Sequence, residues 1–138
     1  MARELKPIET TDELKESVAR FLPKGSENKV LAQIFQALRI EVNEEMKVLE
    51  IFLSQCADVL NPGGRLVVLS YHSLEDRLVK NFMKTGNADG NLEKDFFGNQ
   101  LTPYKLLSSK PIVPSDDEIQ VNNRARSAKL RVAERRSQ

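Results

Sequence analysis

Residues 62–77 of the chain read PGGRLVVLSYHSLEDR, and this stretch decides the fold. Its first three residues favour a tight turn, and residues 65–70 form an unbroken run of strand length. Such a run is typical of a central strand that is covered on both faces, as in a parallel sheet. The polar residues that follow favour the start of a helix. We therefore predict the turn, strand and helix of an open α/β sheet.

The junction between this strand and the following helix is the strongest candidate for a functional site. Ligands of open α/β sheets bind at the carboxyl ends of the strands. A helix N-terminus also offers free backbone N–H groups to an anion. The candidate residues at the junction are Tyr71, His72, Ser73, Glu75, Asp76 and Arg77. A structural interpretation competes with this one, because Ser73 and Asp76 fit a capping box and a single histidine can cap or pack.

Three helices are predicted upstream of the turn. Thr10, with a glutamate three residues later, begins the first helix as a capping box. Apolar residues recur at three- and four-residue intervals over residues 28–42 and predict the second helix. Asn43 is predicted to cap a third helix that runs to about Leu60. Cys56 lies on the apolar stripe of this third helix, so we expect a buried structural thiol and not a nucleophile.

Downstream of the junction, residues 86–100 are polar and rich in glycine and predict a surface loop. Two further strands are predicted, over residues 104–107 and 129–134, and the second alternates polar and apolar side chains. Ser115 is predicted to cap a short helical turn between them. Because a loop joins these strands, we expect an antiparallel pair added to a parallel sheet.

The composition excludes several classes of protein. The chain has 138 residues with one His and one Cys, so neither a disulfide nor a zinc site of nitrogen and sulfur ligands can form within it. No apolar run approaches the roughly 20 residues of a membrane helix, and residues 1–7 lack the apolar region of a signal peptide. We therefore expect a cytoplasmic protein without a membrane partner. Glycine-rich phosphate loops and the G-x-S-x-G elbow of hydrolases are also missing from the sequence.

The net charge of +1 hides a basic segment near the C-terminus. Residues 124–136 contain six basic residues and one acidic residue. Such a segment on a mildly acidic body can be the electrostatic footprint of a nucleic-acid site. A solvated strand face and tail is the alternative interpretation of the same charges.

Three blocks of sequence carry a resemblance to a known family. They are FQALRIEVN at residues 35–43, the stretch at residues 62–77, and NRARSAKLR at residues 123–131. In this order they resemble the bacterial 16S rRNA (cytosine-N4)-methyltransferase family, and the similarity runs from about Pro7 to Arg135. The resemblance implies an enzyme that uses S-adenosylmethionine to methylate the N4 amine of a cytosine in the decoding region of 16S rRNA.

The resemblance also implies a fold. The chain would be the C-terminal part of a Rossmann-like (class I) methyltransferase sheet, with one parallel-type strand and an antiparallel C-terminal strand pair. Residues 1–42 would be the end of an inserted helical domain and its return to the core, and residues 43–138 the C-terminal half of the methyltransferase domain. The family's cofactor loop precedes these blocks and is absent here. We therefore expect a fragment that lacks the S-adenosylmethionine-binding half and is inactive alone.

Through the resemblance, residues of two blocks receive expected roles. Tyr71, His72 and Ser73 would face the target base as catalytic residues. The residues expected to contact the RNA are Glu75, Asp76, Arg77, Asn123, Arg124, Arg126, Ser127, Lys129 and Arg131. No residue of the chain is expected to bind the cofactor or a metal ion. The expected partners are 16S rRNA and the small ribosomal subunit.

Two other interpretations of the chain stay open. A non-enzymatic RNA- or ribosome-binding module that uses the basic C-terminal strand predicts RNA affinity that depends on salt. A structural remnant that forms a homodimer is the other, because an unpaired apolar strand edge invites pairing with a second copy.

Overall fold

The computed structural model describes residues 7–137, so the parts of the predictions that fall on residues 1–6 and 138 lie outside the described residues. The described residues divide into two compact units, with the boundary between Glu45 and Met46. The first contains α1 (Thr11–Val18), a 3-10 helix (Ala19–Phe21) and α2 (Glu27–Val42). The elements from the boundary onward are α3 (Glu45–Val59), β1 (Arg65–Ser70), α4 (Ser73–Thr85), β2 (Tyr104–Leu106), α5 (Asp116–Val121), a second 3-10 helix (Asn123–Ser127) and β3 (Lys129–Arg135).

The capping box predicted at the start of α1 is confirmed. The Thr10 hydroxyl accepts the Glu13 N–H at 3.2 Å, and the Glu13 carboxylate accepts the Thr10 N–H at 3.1 Å. These reciprocal bonds satisfy donors that the first turn of a helix leaves free. The predicted second helix is also confirmed, beginning one residue earlier than expected, and neither α1 nor α2 contains a fully buried residue.

The prediction that Asn43 begins the third helix is wrong. Asn43 is the C-cap of α2, and its backbone N–H donates to the Arg39 carbonyl at 3.0 Å. Glu44 then adopts a φ of 50°, a left-handed conformation that ends the helix. Arg39 pairs with Glu45 at 2.8 Å and bridges this turn. Asparagine suits either end of a helix, so local sequence did not distinguish the two roles.

The sheet has the order β1-β3-β2, and both pairings are antiparallel. The predicted antiparallel pairing of the last two strands is therefore confirmed. The expectation that β1 is covered on both faces is corrected: Leu66 and Ser70 are buried, whereas Val67 and Leu69 on the other face are 54% and 49% exposed. Among the described residues, β1 has a strand partner along one edge only. A homodimer through its other edge stays a prediction.

The core of the second unit lies between the buried face of the sheet and helices α3 and α4. Its buried apolar residues are Leu53, Leu66, Val79, Phe82, Met83, Tyr104 and Ala133. Burying each large apolar side chain contributes about 1.5–3 kcal/mol relative to exposure. Cys56 packs against this cluster as a free thiol, and burial raises its pKa, as expected of a structural thiol.

Tyr104 anchors β2 in this core but leaves one polar atom without a partner. Its ring lies 6.4 Å from that of Phe82, between centroids, and its hydroxyl is buried with no hydrogen bond among the described residues. Burial, more than the charges nearby, raises the pKa of Tyr104 to about 12. The neutral phenol is thus the form that the core accepts.

The segment that follows α4 is a surface loop, as predicted. Gly86 ends α4 with a φ of 84°, and a Cβ at this position would lie 2.8 Å from Pro103 Cδ. Glycine therefore lets the chain pass close to the beginning of β2. Beyond Gly86, an isolated bridge pairs Lys94 with Gln100 around a tight turn.

Candidate functional site

His72, and not Ser73, caps helix α4. His72 has extended backbone geometry, and its Nδ1 accepts the Glu75 N–H at 3.3 Å. The Glu75 carboxylate in turn accepts the Tyr71 N–H at 3.0 Å and the His72 N–H at 3.4 Å. The predicted capping box is thus present one residue earlier than expected. The prediction failed because Asp76 is held by the sheet instead of turning back to the helix start.

The cap fixes the chemistry of the His72 ring. Because Nδ1 accepts a hydrogen bond, the ring proton of the neutral imidazole lies on Nε2. Nε2 is buried and 3.2 Å from Glu75 Oε1, but without the alignment that a hydrogen bond requires. In this structure the imidazole therefore serves the helix end and presents no free basic nitrogen to a ligand.

Asp76 belongs to a buried ion cluster with two residues of β3. Its carboxylate accepts Arg131 Nε at 2.7 Å and Arg131 Nη2 at 3.2 Å, and Lys129 Nζ at 3.2 Å. Asp76 and Arg131 are each only 7% exposed. Burial alone would raise the pKa of Asp76, but the hydrogen bonds and charges of Arg131 and Lys129 outweigh it, so its pKa lies below the ordinary value. The cluster joins α4 to β3.

The basic C-terminal segment divides into anchored and free side chains. Arg135 donates to the carbonyls of Ala57 at 3.0 Å and Pro103 at 3.2 Å, and Arg136 donates to the Tyr104 carbonyl at 3.0 Å. With Arg131 in the ion cluster, three of the arginines therefore hold the fold together. The exposed guanidinium groups without a side-chain partner among residues 7–137 are those of Arg65, Arg77, Arg124 and Arg126.

A groove of about 620 Å³ lies on the open face of the sheet at the carboxyl end of β1. We call it the strand groove. Leu69 of β1 and Leu130 of β3, which are opposite each other in the register, form part of its floor. The other lining residues are Tyr71, Ile112, Val113, Pro114, Glu118, Asn122, Arg124, Ala125 and Ala128. Within unit two, the groove brings Tyr71 and Arg124 to one cavity although 52 intervening residues separate them in sequence.

The predicted site residues therefore fall into separate groups. Tyr71 and Arg124 share the strand groove, His72 and Glu75 form the cap of α4, and Asp76, Lys129 and Arg131 form the ion cluster. The remaining predicted residues are exposed at the surface, namely Ser73, Arg77, Asn123, Arg126 and Ser127.

Sequence reasoning missed most of the groove lining. Ile112, Val113, Glu118 and Asn122 were not singled out, although they line the cavity. The available signal was the capped helical turn at Ser115, whose hydroxyl accepts the Glu118 N–H at 3.2 Å. The turn itself was predicted. Its position near the end of β1 was not, because it depends on the pairing of Ile112 with Leu130, which are distant in sequence.

Comparison with known proteins gives the family. The model of the MraW methylase family matches residues 1–136. The chain belongs to the MraW methylase family. Relatives named ribosomal RNA small subunit methyltransferase H are similar to it: those of Flavobacterium johnsoniae, Parabacteroides distasonis and Bacteroides fragilis are 59%, 58% and 55% identical over 134, 134 and 135 residues. These matches cover 97–98% of this chain and 44% of each relative. The chain thus spans less than half the length of these relatives.

The family implies a methyl donor, and the turn between β1 and α4 does not have the glycine-rich form that would hold one. This turn contains no glycine, and the Glu75 N–H at the helix start is already taken by His72. The Glu75 carboxylate lies over the same turn and accepts the Tyr71 and His72 N–H groups, so this helix start carries a negative charge of its own. Among residues 7–137 there is also no group of three potential metal ligands, and no helix long and apolar enough to cross a membrane.

Proposed function

We propose that this MraW-family chain is the C-terminal portion of an S-adenosylmethionine-dependent methyltransferase that modifies the N4 amine of a cytosine in 16S rRNA. The observation that carries the proposal is the family match over residues 1–136, together with relatives that are named as small-subunit ribosomal RNA methyltransferases. The cytosine, its decoding-region position and the small ribosomal subunit as partner extend this from the three resemblance blocks.

We further propose that the chain alone transfers no methyl group. The turn before α4 has no glycine, its Glu75 N–H is taken by His72, and its Glu75 carboxylate is held by two backbone N–H groups. Relatives are more than twice as long, and the chain covers 44% of their length. The described residues would then supply RNA binding and support, and no step of the methyl transfer itself.

The side chains proposed to contact the RNA are those that are exposed on the second unit. Tyr71 and Arg124 at the groove, and Arg126 beside it, have side chains that an RNA strand can reach. Arginines of this kind neutralise phosphates and position the strand without reading its sequence. Arg131 and Asp76 satisfy each other, so their proposed role is to position β3 and not to touch RNA.

The second candidate function is a non-enzymatic RNA-binding module. The observation in its favour is the same pair of free cations, Arg124 and Arg126, in a chain whose turn between β1 and α4 does not have the glycine-rich form that would hold the cofactor. It differs from the first proposal in one outcome, because a module of this kind adds nothing to methyl transfer when it is joined to the rest of a family member.

A chimera tests the proposed function. The matching 134 residues of the Flavobacterium johnsoniae relative are replaced by this chain, which is 59% identical there. We expect the chimera to transfer labelled methyl groups from S-adenosylmethionine to 16S rRNA in small subunits, and nucleoside analysis to find the label on cytosine N4. The unaltered relative is the positive control, and this chain alone is expected to give no transfer. A folded chimera without activity would overturn the proposal, and transfer by the chain alone would overturn the inactivity of the fragment.

A further inference from the structure

The strand groove is a built cavity with fixed walls. The Ile112 N–H donates to the Leu130 carbonyl and the Leu130 N–H to the Ile112 carbonyl, both at 2.8 Å, so Ile112 is fastened to β3 on the side that also pairs with β2. Ala125 in the second 3-10 helix and Ala128 at its C-cap are both buried. A volume of about 620 Å³ is in the range of sites that bind small molecules or single nucleotides.

The lining combines apolar surface with a few polar groups at the rim. Leu69 and Ile112 provide exposed apolar surface, and Tyr71 is an aromatic ring that is 57% exposed. Glu118 lies on α5 and Asn122 is the C-cap of that helix, where the Asn122 N–H donates to the Glu118 carbonyl. The groove therefore offers a flat apolar surface beside hydrogen-bonding groups.

The polar groups at the rim are not used within the chain. The Glu118 carboxylate has no side-chain partner among residues 7–137, and the Arg124 guanidinium has none either. The Asn122 Oδ1 accepts the Arg124 N–H at 3.1 Å, which leaves the Asn122 Nδ2 group as a donor. The rim thus presents an acceptor, a donor and a cation next to the apolar surface.

This combination matches a nucleotide. A nucleobase has two apolar faces that stack on aromatic side chains, a polar edge, and an attached phosphate that pairs with arginine. A carboxylate accepts from the exocyclic amine of cytosine or adenine, whereas uracil presents a carbonyl oxygen at the corresponding position. An apolar peptide would use the leucine and isoleucine surface but would leave Glu118 and Arg124 without partners.

We infer that the strand groove binds one unstacked, amine-bearing base of single-stranded RNA, with its face on Tyr71, its amine at Glu118 and its phosphate at Arg124. The inference rests on the proposed function for RNA as the ligand class, and it adds the recognition surface and its preference. Leu69 on the groove floor lies on the face of β1 opposite the buried Ser70, so the groove and the apolar core are on different faces of the sheet.

The test measures binding of the 138-residue chain to three labelled octamers by fluorescence anisotropy: oligo(C), oligo(U) and an abasic ribose-phosphate strand. We expect oligo(C) to bind more tightly than oligo(U), and both more tightly than the abasic strand. Tyr71→Ala should weaken oligo(C) binding roughly 5- to 150-fold, the range for losing one base–aromatic stack, and leave the abasic strand unaffected. Tyr71→Phe, which keeps the ring, should bind as the unaltered chain does.

Two further variants assign the polar groups. Glu118→Gln should reduce the preference for oligo(C) over oligo(U), with Glu93→Gln as the matched control outside the groove. Arg124→Ala should weaken all three strands and lower the slope of log affinity against log salt by about 0.7. Phe96→Ala, which removes a 98% exposed ring outside the groove, is the control for Tyr71→Ala. Circular dichroism confirms that each variant is folded.

The outcomes separate this inference from the proposed function. No RNA affinity in the unaltered chain, or equal losses for oligo(C) and the abasic strand in folded Tyr71→Ala, would overturn the inference, even if the chimera methylates 16S rRNA. Base-dependent binding that is lost in Tyr71→Ala supports the inference, even if the chimera is inactive.

Discussion

Replacing Asp76 by alanine should destabilise the second unit by about 3–5 kcal/mol, because it leaves a buried guanidinium without its counter-ion. Asp76 accepts two hydrogen bonds from Arg131, at 2.7 and 3.2 Å, and one from Lys129 at 3.2 Å. Arg131 is 7% exposed, so water cannot replace the lost carboxylate without opening the contact between α4 and β3.

The magnitude follows from two opposing terms. Hydrogen bonds to charged groups contribute about 1.5–3 kcal/mol each, but Lys129 is partly exposed and regains water when its partner is removed. The Arg131 contacts therefore dominate, and the cost of an uncompensated buried charge sets the expected range. Replacing both partners by apolar residues of similar size removes that cost, so Asp76→Leu with Arg131→Met should be about as stable as the unaltered chain or more so.

Urea unfolding followed by far-ultraviolet circular dichroism measures these differences, since the chain has no tryptophan for fluorescence. With a urea slope of about 1–3 kcal/mol per molar, Asp76→Ala should lower the midpoint by at least about 1 M. Because pairing holds the pKa of Asp76 below its ordinary value, its contribution is present above about pH 4 and is lost as the pH falls through the folded pKa. Asp76→Asn should therefore show a flatter loss of stability in acid.

Two results would refute this reasoning. One is a loss of less than about 1 kcal/mol in Asp76→Ala at pH 7, which would place the ion pair among weak surface pairs. The other is a double variant that is as unstable as the single one, which would mean that the carboxylate is needed for more than compensating Arg131.

Two further predictions concern single side chains. His72→Ala should lower stability by about 1 kcal/mol through loss of the α4 cap, whereas His72→Asn should retain it; thermal unfolding that ranks the two variants equally would contradict the cap. Tyr104→Phe should be at least as stable as the unaltered chain, because the buried hydroxyl has no partner among the described residues. Since the folded pKa of Tyr104 is raised to about 12 from about 10, stability should fall between these pH values, and urea titrations of Tyr104→Phe should lack that loss.

The elements of the fold follow from local sequence more fully than the contacts between them. The apolar spacing predicted α2 and α3, and the run at residues 65–70 predicted β1 with its bounds. The exposed face of β1 was not predicted, because an apolar strand reads the same whether one face or both are covered. Whether the second face of β1 is buried depends on which other elements pack against it, and the sequence of the strand does not determine that.

The candidate site shows the same division between local and distant causes. The junction after β1 was found from sequence because a strand and a helix start are local patterns. The cap residue was misassigned because Arg131, 55 positions from Asp76, draws that carboxylate onto the sheet. The groove was missed for a similar reason, since its floor exists only where Leu69 lies opposite Leu130.

The ion cluster and the strand groove are also physically coupled, which affects how variants in the basic segment are interpreted. Arg131 follows Leu130, so the pair that fixes Arg131 against α4 also fixes the register that places Leu130 on the groove floor. Loss of RNA affinity after replacement of Arg131 alone is therefore no evidence of a phosphate contact, because displacement of the floor has the same effect. A direct contact requires that the affinity stays low when Asp76 is replaced at the same time and the fold is restored. The Arg124 side chain has no partner within the described part of the chain, so replacing it needs no second substitution to restore the fold. The change in the salt dependence of RNA binding in an Arg124 variant therefore measures its phosphate contact directly.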